Sequence, residues 1–88
     1  MVYLLHFNKK YHHAGHYIGT ANDICKRLHQ HNHGRGARLM QVISEAGITF
    51  LLARTWEGGR QLERQLKNRH EAPRLCPICI AKRKEAKI

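Results

Sequence analysis

A phenol, a guanidinium and an imidazole are spaced along this chain so that folding can bring them to one place. Tyr17-Ile18-Gly19 reads as the end of a strand, and Asp23 then starts a helix carrying Arg27 and His31. These two stand at i, i+4 and share a helix face. With Tyr17 aimed the same way, the three side chains converge on a volume suited to gripping and polarising a phosphate. Asp23 is used at the helix start, Glu85 lies in the tail, and Glu45, Glu57 and Glu71 sit near element ends, where charge is solvated. Glu63 differs, because it lies inside a helix, one position after Leu62, at the border of the buried stripe. From position alone, the favoured reading of Glu63 is an ordinary i, i+4 pair with Lys67, worth about 0.3–0.5 kcal/mol. One carboxylate cannot build the acidic cluster that clamps two metals. Phosphodiester hydrolysis here would therefore use a single hard cation, Mg²⁺ or Mn²⁺.

A second chemistry is half written in Cys76-Pro77-Ile78-Cys79. Two thiolates separated by two residues share a tetrahedral zinc ion in many sites, and Cys25 or His70 is the candidate to complete this one. Against zinc stands the reading of these cysteines as small buried hydrophobes. The histidines of the hairpin loop, His12, His13 and His16, and the i, i+4 pair His29 and His33 read as solvated or phosphate-facing, for want of nearby thiols or carboxylates.

Composition limits what such sites belong to. Eighty-eight residues form one domain, since so short a chain buries only about 60–65% of its unfolded surface. Lys and Arg number 16 against 6 Asp and Glu, a net charge of +10 that suits a polyanionic partner. A nucleic acid is favoured over a membrane surface, because no segment sets a clean apolar face against a basic one. The amino terminus has neither a leading basic region nor a long apolar run, and three cysteines are too few for a disulfide framework. A cytoplasmic protein with reduced thiols is the expectation. Nothing in the sequence sets an oligomeric state.

The elements that must position these residues follow from pattern. Residues 2–7 are β-branched and aromatic and read as a strand, with a turn at 8–10 and a second strand at 16–20, a hairpin with a long tip. Thr20, Asn22 and Asp23 offer caps for a helix to about Asn32, with Ile24 and Leu28 buried. Gly34, Arg35, Gly36 and Arg38 make a basic loop suited to backbone phosphates. Leu39 to Ile43 suggest a short helix. Residues 48–56 are nearly continuously apolar at their centre, which places this third strand in the middle of the sheet or under cover on both faces. Gly58-Gly59 breaks the chain before a helix over 60–69 with Leu62 and Leu66 buried. Pro73 then stops it, and the charge run with Lys82 and Arg83 is expected to be solvated or to lie on nucleic acid. Arg35, Arg38, Lys67, Lys82 and Arg83 are the candidate nucleic-acid contacts.

At this level of detail the chain resembles the GIY-YIG nuclease superfamily. Tyr17-Ile18-Gly19 matches the second tripeptide of that family, and Val2-Tyr3 matches the first, with Met1 where glycine and Val2 where isoleucine are usual. The family arginine falls on Arg27, the frequent histidine on His31 and the metal-binding glutamate on Glu63, within Leu62-Glu63-Arg64-Gln65-Leu66-Lys67. The likeness covers about residues 2–70. It implies an α+β fold in which a three-stranded antiparallel sheet is flanked by helices. Residues 1–75 would be the nuclease domain, and 76–88 the Cys-x-x-Cys element and basic tail. It also implies hydrolysis of DNA at one divalent metal held by Glu63, with Arg27 on the phosphate. Tyr3 would be the general base, Tyr17 would orient water or phosphate, and His31 would assist proton transfer. Tyr3 could act so at neutral pH only with its pKa depressed, an effect expected of Arg27 and the metal. The family asparagine beyond the glutamate has no counterpart: Asn68 is too close, and the region around Ile78 contains none. Two other classes stay open, a catalytically inactive nucleic-acid-binding module of the same fold and a zinc-stabilised interaction domain.

Overall fold

Residues 2–7 are all buried, which is what a strand covered on both faces requires. In the computed structural model this segment belongs to β1 (Val2–Tyr11), which pairs antiparallel with β2 (Ala14–Thr20) on one side and β3 (Phe50–Trp56) on the other. The order is β2-β1-β3. The structure describes residues 1–12, 14–33 and 37–86, with side chains as far as Lys82 at the carboxy-terminal end. Helices α1 (Ile24–Asn32), α2 (Arg38–Glu45), α3 (Arg60–Arg69), α4 (Ala72–Leu75) and α5 (Pro77–Ala86) complete a small α+β architecture. No helix among the described residues is long and apolar enough to cross a membrane.

Alternation along β1 divides the core in two. Tyr3, Leu5 and Phe7 pack with Met40, Ile43 and Ile48, beneath α1 and α2. Val2 and Leu4 pack with Ile18, Leu66 and Cys76, beneath α3 and the chain that follows it. The sheet is thus the middle of three layers, and β2 presents side chains to both.

Three expectations are corrected. The third strand is an edge, not the centre: Leu51 is 63% and Leu52 42% exposed. Its pairing with β1 shifts register between Leu4, opposite Arg54, and Leu5, opposite Leu52, so Ala53 is an extra residue, a bulge of the kind common at sheet edges. The turn expected at residues 8–10 lies inside β1. Asn8 is held there by two bonds to Thr49, its N–H donating to the carbonyl at 2.9 Å and its Oδ1 accepting from the N–H at 3.1 Å. The strand therefore runs on to Tyr11, and the hairpin turns tightly at His12, whose φ is 56°. Finally, Pro73 is not what stops α3: the helix ends at Arg69, before a left-handed His70. Pro73 sits in the first turn of α4, and Pro77 opens α5, a position that suits proline because its missing N–H is not needed there.

Candidate functional site

Tyr3 and Tyr17 reach the same face because β1 and β2 pair with Tyr3 opposite Gly19 and Leu5 opposite Tyr17. Their rings lie 6.1 Å apart. Gly19 lies directly under Tyr3: a Cβ there would stand 2.5 Å from the phenol oxygen and 2.9 Å from a ring carbon of Tyr17. No other residue type fits without displacing the tyrosines. The helix then delivers His31 and Arg27. Asp23 caps α1 by accepting the Lys26 N–H at 3.1 Å, which sets where the helical turns begin. His31 ends wholly buried, its Nε2 2.8 Å from Tyr3 Oη. Arg27 is half-buried, on the wall of an open cleft of about 270 Å³ that Thr20, Asn22 and Arg60 also line.

The carboxylate arrives from the opposite layer. Glu63 on α3 meets the β2 edge, where its Oε2 accepts from Thr20 Oγ1 at 2.9 Å and its Oε1 pairs with Lys67 Nζ at 2.8 Å. Lys67 in turn lies 5.6 Å from the centre of the Tyr17 ring, so β2 is gripped from both sides. Burial pulls the Glu63 carboxyl upward, but the bonds from Lys67 and Thr20 and the charges of Lys67 and Arg60 outweigh it and hold the group below its ordinary value. It is a standing carboxylate with a cation already beside it. Tyr3 moves the other way. Burial and the neighbouring Tyr17 phenol push it well above the ordinary tyrosine range, with Glu63 adding to the rise, while Arg27 alone pulls it down. The expected depression by Arg27 is therefore outweighed in the protein by itself, and Tyr3 is a firmly neutral phenol. The same balance places Tyr3, Tyr17, Arg27 and Glu63 within one electrostatic neighbourhood.

Sequence reasoning assigned Thr20 only to the helix start, yet its hydroxyl positions Glu63. Lys67, expected on nucleic acid, is engaged by Glu63 and leans over Tyr17. Arg38 and Lys82 are exposed on α2 and α5. Arg35, and the side chain of Arg83, lie outside the described residues.

On the other face of the same hairpin stands a second group. His6 is opposite His16, and Cys76 and Cys79 approach them from the start of α5. Their four ligand atoms lie within 4.8 Å of one another, and the group could hold a metal ion. Cys25 and His70, the expected partners, do not take part: both are exposed, Cys25 on α1 and His70 capping α3 with φ 52°. Nor is His16 a solvated loop residue. It lies in β2, with thiols within reach that are distant in sequence. Burial holds both imidazoles below their ordinary pKa, helped by Lys82 at His6 and by His6 and Lys10 at His16. The missed signal was the register: once Tyr3 faces Gly19, counting inward puts His6 across from His16. A soft nitrogen and sulfur set of this kind suits zinc better than magnesium.

No model of a known protein family matches the chain, and no curated protein and no solved structure shows significant similarity to it.

Proposed function

We propose that this chain is a metal-dependent DNA endonuclease of the GIY-YIG type. The observation that carries the reading is the Tyr3 phenol, seated on Gly19, bonded to His31 at 2.8 Å and sharing its surroundings with Tyr17, Arg27 and Glu63. Five residues from four elements bring a phenol pair, an imidazole, a guanidinium and a carboxylate to the β1–β2 side of the sheet. The net charge of +10 supplies the long-range attraction to a nucleic acid.

Glu63 fits a hard divalent cation, because it is an oxygen donor kept ionised and already partnered by the Lys67 ammonium. Glu63 would hold Mg²⁺ or Mn²⁺ once Lys67 swings aside. When bound, such an ion neutralises the scissile phosphate and stabilises the leaving oxygen. Arg27 binds a phosphate oxygen from the cleft wall and offsets the charge that grows there. Tyr3 serves as a relay and not as a standing phenolate. Its oxygen accepts a proton from the attacking water while its own proton passes to His31 Nε2. Tyr17 flanks that path and orients the water or the phosphate.

The test is cleavage of duplex, nicked, flap and branched DNA with Mg²⁺ or Mn²⁺, by wild type and by folded Glu63→Gln and Arg27→Ala variants. Cutting by wild type alone supports the reading. Salt-sensitive binding without cutting under either ion replaces it with a catalytically inactive binding module.

A further inference from the structure

We propose that His6, His16, Cys76 and Cys79 form a closed tetrahedral zinc(II) site that fastens the carboxy-terminal helices to the β1–β2 hairpin. This inference does not depend on the nuclease reading, since none of the four residues belongs to the group proposed for that reaction.

The geometry carries it. Zinc bonds of about 2.3 Å to sulfur and 2.0–2.1 Å to nitrogen, arranged tetrahedrally, separate the ligand atoms by about 3.3 Å for N and N and about 3.5 Å for N and S. Four of the six edges match those lengths without any ion to draw the atoms together, and all four atoms lie within 4.8 Å of one another. His6 Nδ1 and His16 Nε2 are 3.3 Å apart, His6 Nδ1 and Cys76 Sγ 3.5 Å, His6 Nδ1 and Cys79 Sγ 3.7 Å, and His16 Nε2 and Cys79 Sγ 3.4 Å. Ordinary packing of two imidazoles and two thiols has no reason to reproduce a coordination polyhedron.

The donor chemistry selects the metal. Two imidazoles and two thiols with no carboxylate suit zinc and not the oxygen-seeking Mg²⁺, Ca²⁺ or Mn²⁺. Two thiolates also cancel the charge of Zn²⁺, so a neutral unit is buried, where an unpaired charge would be costly. Cys76 and His6 are buried, and the other two ligands are half-buried, so the site has an entry path. Four protein ligands leave no position for substrate, which makes the role structural.

The elements explain what is fastened. Cys76 joins α4 to α5: its N–H donates to the Ala72 carbonyl at 3.0 Å, and its carbonyl accepts from the Ile80 N–H at 3.0 Å. Cys79 follows within the first turn of α5, so both thiols face the hairpin. On the sheet, the paired strands bring His6 and His16 together at ring centroids 5.1 Å apart. Segments some 60 to 70 residues apart in the chain meet at these four atoms. The same junction sets Lys82 and Lys10 on the rim of a 520 Å³ cleft beside the ligands.

The full chain, produced without a histidine tag, should carry stoichiometric zinc by elemental analysis. Replacement by Co²⁺ should give the intense ligand-field bands of tetrahedral cobalt together with thiolate-to-cobalt charge transfer. Cys79→Ser and His16→Asn should lose stoichiometric metal, whereas Cys25→Ser and His70→Asn should keep it. Should the ligand variants fail to fold, the cobalt spectrum of the wild type still decides. Sub-stoichiometric zinc after refolding with excess Zn²⁺, an octahedral cobalt spectrum, a Cys76–Cys79 disulfide in place of metal, or undiminished zinc in both ligand variants would each overturn the site.

Discussion

The two faces of the β1–β2 hairpin carry opposite kinds of chemistry. On one, Tyr3 and Tyr17 are neighbours of His31, with Arg27 on the wall of an open cleft and Glu63 at the β2 edge. On the other, His6 and His16 meet two thiols in a set that leaves nothing open. Both groups arise from the same two strands, because successive side chains point to opposite faces. The first group offers oxygen donors and charge, as the proposed handling of water and phosphate would require. The second is soft, balanced in charge and complete. On the two proposals above, neighbouring residues of one hairpin would serve reaction and cohesion separately.

The largest separation should come from the carboxylate. Glu63→Gln removes the one anionic donor to a hard cation, and a metal acting as Lewis acid contributes several kcal/mol, so DNA cleavage should fall by about 10³-fold or more. Zinc content and melting temperature should stay near wild type. A Glu63→Gln protein that cut DNA normally would remove the catalytic side of the comparison. Conversely, a strong zinc chelator should lower the melting temperature by stripping the closed site, because metal that binds only the folded chain adds its binding energy to stability. A Tm indifferent to the chelator would show that the cohesive face needs no metal.

Gly19 lets stability and the proposed reaction be probed from one position. A methyl group at Gly19 meets the Tyr3 oxygen at 2.5 Å and cannot be accommodated by rotating one side chain, since Tyr17 closes the other side. Gly19→Ala should cost about 1–3 kcal/mol, as overpacking does, and should reduce cleavage further than that loss of stability explains. Urea unfolding and cleavage measured on the same preparation separate the two effects.

Much of this was legible in the sequence, for identifiable reasons. The hairpin, α1 and α3 announce themselves by apolar spacing and by Asp23, and those elements carry every candidate catalytic residue. The order of strands was not legible: residues 50–56 are as apolar as a central strand, yet Leu51 and Leu52 face outward on an edge. A run of apolar residues records β propensity, not position in a sheet. Pro73 was read as a break when it lies in the first turn of a helix, and no helix was expected from Pro77 on, so the fold of the last residues was missed, and with it the approach of Cys76 and Cys79. His6 went unnoticed because a single polar residue in an apolar strand signals nothing until the register pairs it with His16.

Tyr3 offers a smaller, pH-dependent test. Its pKa in the fold lies above the 10.0 of an ordinary tyrosine, so the folded chain keeps the phenol proton at pH values where the unfolded chain has lost it. The neutral Tyr3 contribution is whole below about pH 10 and is lost as pH rises through the folded value. Tyr3→Phe should remove that part of the alkaline loss and flatten the stability curve above pH 10, while costing about 1 kcal/mol near neutrality for the bond to His31. An unchanged alkaline slope in the variant would mean that Tyr3 is not held neutral, and the relay through His31 would lose its reason.

The smallest effect concerns Lys67. Its pair with Glu63 joins a half-exposed ammonium to a carboxylate 18% exposed, a setting worth about 0.3–0.5 kcal/mol. Because the Glu63 pKa is depressed, this stability is present above the unfolded carboxylate value and fades as pH falls through the folded one. Lys67→Met should therefore barely change Tm at pH 7 and should shrink the loss on acidification. It should also relieve Glu63 of its resident cation, so half-maximal cleavage should need less Mn²⁺ than wild type. A higher Mn²⁺ requirement would assign Lys67 to the phosphate instead, and would leave Glu63 without the competition that its geometry displays.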